Sequence, residues 1–113
     1  MKKIIVTLGV FALIGCANPY NYREDQKVLA SYTTAKPAEE TQECILAAWQ
    51  KQPLMYQIIP QKTGKYYSVF AGADNADVFT DGNLTRINFY SLRGALDVTG
   101  GIEKRKAAIK TCL

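Results

Sequence analysis

The stretch whose reading decides the fold is Ala76-Asp77-Val78-Phe79-Thr80-Asp81-Gly82-Asn83-Leu84-Thr85-Arg86-Ile87-Asn88-Phe89-Tyr90-Ser91. Asp81-Gly82 is a dipeptide favoured in type I′ hairpin turns, and β-prone runs flank it on both sides. The second run, Asn83 to Ser91, alternates cleanly. Thr85, Ile87 and Phe89 fall on one face, and Leu84, Arg86, Asn88 and Tyr90 on the other. An antiparallel strand with one face in the core and the other largely wet has this pattern.

Upstream, Gly72-Ala73-Asp74-Asn75 reads as a turn, preceded by an apolar run, Tyr66 to Ala71. Leu54 to Pro60 reads as a further strand, joined to it by the Gly-containing connection Gln61-Lys62-Thr63-Gly64-Lys65. Before these strands lies a helical signal. Pro37 suits the first helical position and Glu39 and Glu40 the first turn, where the helix dipole favours acids. Thr41, Cys44, Ile45, Ala48, Trp49 and Gln52 then recur at helical spacing over 37–51, and Pro53 ends the run. A lone Trp on such a stripe is more often core than a ligand platform.

Downstream, Arg93-Gly94 breaks the sheet and Ala95-Leu96-Asp97-Val98 reads as a last short extended piece. Gly100-Gly101 leads into a final helix from Ile102 to about Thr111, with Ile102, Ile109, Cys112 and Leu113 inward and Lys104, Lys106 and Lys110 outward. Basic residues late in a helix complement its dipole, which explains them without an anion site. Near the start, Lys27 to Thr34 is compatible with a strand or a short helical turn. The expected fold class is α+β: a small two-layer domain with a three- to four-stranded antiparallel meander, two helices on one face and one disulfide.

Composition excludes several functions. The chain has no His, which removes His-based triads and the commonest zinc sites. Asp74 and Asp77 form a pair on paper, but turn chemistry accounts for both. A calcium loop needs a denser run of oxygen ligands, and no phosphate-cradling Gly loop is present. Ser68 and Ser91 lack a visible base. The reading is therefore non-enzymatic, with no catalytic residues, no cofactor, no metal and no nucleic acid. Seven tyrosines in 113 residues instead draw attention to the outer sheet face. Leu84, Arg86, Asn88 and Tyr90 there have the composition of a partner-binding surface. The competing reading is a face covered by the Tyr20–Tyr32 segment.

The first residues carry an address. Lys2 and Lys3 precede an apolar run, Ile4 to Ile14, which is shorter than the roughly 20 residues of a bilayer span and ends at Gly15-Cys16. Leu13-Ile14-Gly15-Cys16 resembles the lipobox of bacterial lipoproteins. The resemblance implies cleavage before Cys16, three acyl chains on that residue and stable membrane anchoring. It divides the chain into a signal peptide (1–15), a lipidated tether (16–36) and a periplasmic domain (37–113). Ala17 in place of Asp implies, by the family's sorting rule, the outer membrane. Lys2 and Lys3 belong to the signal peptide, so 12 of the 14 basic residues remain against 10 acidic ones. The mature chain is only mildly basic.

With Cys16 acylated, Cys44 and Cys112 are left, and an even pair in an exported chain reads as a disulfide. In general layout the chain resembles small proteobacterial envelope lipoproteins of unassigned function. The expected function is a membrane-anchored binding or structural accessory with an envelope protein as partner. The alternative is an inhibitor or immunity-type lipoprotein that presents Gln61–Lys65 to a lytic enzyme or effector.

Overall fold

The computed structural model describes residues 22–94, 97 and 99–113. The expected signal peptide, Cys16 and most of the 95–98 piece lie outside the described residues. A one-turn helix α1 (Tyr22–Asp25) is followed by strand β1 (Ala30–Thr34) and helix α2 (Ala38–Lys51). Strands β2 (Ile59–Thr63), β3 (Tyr66–Ala71), β4 (Asp74–Asp81) and β5 (Leu84–Ser91) come next, then helix α3 (Gly101–Lys110). All five strands form one antiparallel sheet in the order β1-β5-β4-β3-β2. The fold is α+β with two main helices, as the hydrophobic periodicities imply.

The sheet has five strands, not three or four. The additional one comes from the ambiguous segment: Ala30–Thr34 pairs with Phe89–Thr85 along β5. The domain boundary drawn at residue 37 therefore moves upstream, because residues 30–34 belong to the sheet. A second correction concerns Leu54 to Pro60. Its strand begins only at Ile59 and extends to Thr63, while Leu54 and Met55 take left-handed backbone (φ 55° and 71°) in the link from α2.

The hairpin turns also shift. Asp81 pairs with Leu84, so the central residues are Gly82-Asn83 rather than Asp81-Gly82. Positive φ falls on Gly82 (65°) and not on Asn83, the Gly-first arrangement of a type II′ turn. Gly64-Lys65 and Gly72-Ala73 close the other two hairpins in the same Gly-first manner.

One sheet face and α2 enclose the core. Ile87 and Phe89 of β5, Ala76 and Val78 of β4 and Val69 and Ala71 of β3 are buried with Ile45 and Trp49 of α2 and Ile109 of α3. Trp49 meets Phe89 edge-on at 6.1 Å, which settles it as core. Cys44 and Cys112 are joined, with Cα atoms 5.7 Å apart, tying α2 to the end of α3. Leu113, expected inward, is 42% exposed: the helix ends before it, and the disulfide fixes Cys112 as the last core residue. Asp97 caps α3 by accepting the N–H groups of Gly101 (2.7 Å) and Ile102 (3.0 Å). No helix among the described residues is long and apolar enough to cross a membrane.

Candidate functional site

The strand registers build the outer face as three cross-strand rows. One row runs Thr63, Tyr66, Phe79, Arg86, Thr33, and the middle row runs Gln61, Ser68, Asp77, Asn88, Ser31. The third holds Ile59, Phe70, Asn75 and Tyr90. The middle row is polar and lies at the centre of the sheet, a placement unfavourable to an isolated carboxylate. Asp77 is nevertheless fully buried.

Its partners come from α1. Tyr22 donates its hydroxyl hydrogen to Asp77 Oδ1. Arg23 reaches the same carboxylate through Nε (2.7 Å) and Nη2 (3.1 Å), and Ser68 Oγ donates to it at 2.6 Å. Three donor groups thus surround one carboxylate, as burial of a charge requires. The rings complete the seal. Tyr22 packs edge-on to Tyr90 (5.2 Å) and Phe70 (5.7 Å), while the Arg23 guanidinium lies 4.0 Å from the centroid of Tyr66. Two consecutive side chains therefore clasp all three rows.

This arrangement corrects two expectations. Asp77 is not a turn residue but the centre of a buried polar cluster in mid-strand. Tyr90, grouped with Leu84, Arg86 and Asn88 as a free partner surface, is only 4% exposed because Tyr22 covers it. Coverage by the upstream segment, the competing reading, holds over this part of the face. Leu84 remains 45% exposed. Arg86 and Asn88 are half-exposed but engaged: Arg86 binds Asp81 (2.8 Å) and Ser31 (3.1 Å), and Ser31 donates to Asn88 (2.9 Å). Lys65 caps the aromatic row, with Nζ 4.9 Å from the Phe79 centroid and 5.4 Å from that of Tyr66.

Burial, followed by the hydrogen bond to Asp77, pushes the Tyr22 hydroxyl well above its usual range. Burial also raises Tyr90, with Asp77 adding to it. A folded-state pKa above the unfolded value of about 10 gives stability that is present below that pH and lost as pH rises past it. Thermal stability should therefore fall steeply above about pH 10, and Tyr22→Phe should flatten that fall. Melting temperatures from pH 8 to 11 would test this. Identical alkaline slopes in the two proteins would show that Tyr22 is not held on Asp77.

A second buried cluster sits at the end of the sheet, on the helix side. Asp74, expected in a turn, is fully buried. It accepts Arg93 Nε (3.0 Å), Arg105 Nε (3.1 Å) and Ser91 Oγ (2.7 Å). Arg105 also donates to the carbonyls of Gln52 (2.9 Å) and Pro53 (2.8 Å), closing the C-terminus of α2. Beside it, Leu54, Met55, Tyr56, Arg93 and Thr99 line an open cavity of about 370 Å³.

Neither cluster leaves a reactive group exposed. Ser68 and Ser91 both donate to buried carboxylates, so each acts as a strut. Among the described residues no three Cys, Asp or Glu side chains gather as a metal site. The sequence reading missed Tyr22, Arg23 and Arg105. A signal existed for Arg105, which falls in the inward series Ile102, Arg105, Ile109, Cys112. For Tyr22 the signal went no further than the Tyr20–Tyr32 segment as a cover for the face; its partner, 55 positions away, leaves no local mark. In comparisons with known proteins, no family model, no curated protein and no solved structure matches this chain.

Proposed function

We propose that this chain is a bacterial envelope lipoprotein, acylated at Cys16 and facing the periplasm from the outer membrane, that serves as a non-catalytic binding or structural accessory. The observation that carries the reading is Leu13-Ile14-Gly15-Cys16 at the end of a short apolar run that follows Lys2 and Lys3. Tyr22 and Arg23, six and seven positions after Cys16, are held on Asp77 of the sheet, so in this reading the anchor joins the domain by a short link. Supporting the non-catalytic part, the two buried carboxylates are satisfied by internal donors. The exposed part of the outer face, Leu84 with Arg86 and Asn88, is the contact surface in this reading.

The inhibitor alternative has less support. Gln61–Lys65 does not protrude, because Thr63 pairs with Tyr66 and leaves a two-residue turn. Lys62 lies over Tyr67, and Lys65 folds onto Tyr66 and Phe79.

The test is Cys16→Ala. The variant should accumulate as a longer, unacylated precursor and fail to float with membrane vesicles. Normal maturation and flotation of the variant would remove the lipoprotein reading.

A further inference from the structure

We propose that the uncovered margin of the outer sheet face rests against the headgroup layer of the bilayer that holds Cys16. This inference rests on the lipoprotein reading and names the partner of the same surface. It starts from chain length. Tyr22 is fixed on Asp77 of β4, the middle strand of the five. Six residue steps separate it from Cys16. At about 3.3–3.6 Å per residue, full extension spans at most roughly 20 Å.

That reach is short on the scale of the domain. Five strands spaced about 4.8 Å apart make a sheet roughly 20 Å wide. The helix layer adds about 10–12 Å on the opposite face. From the centre of the outer face a sheet edge is about 10 Å away. The link at full stretch passes it by roughly 10 Å, too little to carry Cys16 round to the far side of the helix layer. The helix layer is accordingly turned away from the membrane, and the chemistry of the margin selects the outer face over a sheet edge. A tether running freely to β1 would allow any orientation; the clasp removes that freedom.

The margin has the chemistry of a membrane–water boundary. Tyr66 and Phe79 meet edge-on at 5.2 Å, with Lys65 above them, Arg86 next in the row and Leu84 exposed at the strand end. Ile59, also exposed, occupies the far corner of the face. Aromatic rings flanked by long cationic side chains suit the headgroup level, where the stem lies on apolar surface and the charge reaches polar groups. Two cations of this margin already have counter-charges within the protein, Arg23 in Asp77 and Arg86 in Asp81. The contact therefore does not depend on anionic lipid. The link, not net charge, holds the face down.

The test uses the mature acylated protein in phosphatidylcholine vesicles containing a lipid with a nitroxide on its headgroup. A fluorescent amino acid replaces Leu84 in one preparation and Glu43, exposed on α2, in another. Quenching should be several-fold stronger at position 84 than at 43, and should persist without anionic lipid. Inserting about 20 Gly/Ser residues between Cys16 and Tyr22, with an r.m.s. reach of about 25 Å, should bring the two values together. Equal quenching at both positions in protein that floats, or stronger quenching at 43, overturns the proposal while leaving the anchor intact. Loss of flotation together with an unacylated mass overturns the lipoprotein reading instead. A photo-crosslinker at position 84, used in cells, should give lipid adducts. Adducts with an envelope protein in their place would make that protein the occupant and overturn the bilayer.

Discussion

Replacing Asp74 by Ala is expected to destabilise the fold by about 3–5 kcal/mol, the range for removing one partner of a buried ion pair. The substitution strands Arg105 and leaves Arg93 with only its longer contact to Asp97 (3.8 Å). Arg105 is fully buried and Arg93 nearly so, and Asp74 is the carboxylate that receives the Nε of each. Ser91 Oγ loses its acceptor as well. Water cannot fully compensate, because the carboxylate and Arg105 lie beneath the junction of α2, α3 and the sheet. Asp81→Ala supplies the control. Its pair with Arg86 is exposed on both sides and should contribute about 0–1 kcal/mol. Urea unfolding of both variants would measure the contrast. Similar losses would mean that Asp74 is not the counter-charge on which the junction depends.

Loss of the Cys44–Cys112 bond is expected to be comparably severe. The bond closes a loop across a sequence separation of 68, for which loop-closure entropy gives about 4 kcal/mol. A small domain has about 5–15 kcal/mol in total, so this is a large share of its stability. The double variant Cys44→Ala, Cys112→Ala should melt well below the parent, and so should the parent in reductant. The bond links the helix layer to itself and touches neither the Asp77 clasp nor the outer face. The deficit should therefore be nearly additive with that of Arg23→Ala, as for distant independent sites. A reduced protein with an unchanged melting temperature would show that α3 is held without the bond.

Much of the fold was legible because its signals are local. The alternation of Leu84 to Ser91 assigned both faces of β5, and Thr85, Ile87 and Phe89 are buried as that pattern requires. The stripe on residues 38–51 gave α2, and the two cysteines left after Cys16 gave the disulfide. Failures came where the deciding partner is remote. Ala30–Thr34 is too short and too polar to announce itself, and becomes a strand because β5 offers it an open edge. Leu54 to Ile58 reads as strand by composition, but the chain must first turn away from α2, and left-handed residues at 54 and 55 make that turn.

The candidate site divides in the same way. Leu84, Arg86, Asn88 and Tyr90 do share a face, since a period of two fixes that from sequence alone. Whether that face is free is not a local property. Tyr22 covers Tyr90 and leaves Leu84 open because Asp77, 55 residues further on, gives its hydroxyl an acceptor. By itself the sequence determined the fold class, the disulfide, the two helices, the meander and the division of β5 into faces, each through a periodicity or a residue's own chemistry. The tertiary structure alone decided the fifth strand, the burial of Asp74 and Asp77 and the clasp over the outer face. Burial makes a carboxylate depend on whichever donors the fold brings to it, and no local pattern records which those are.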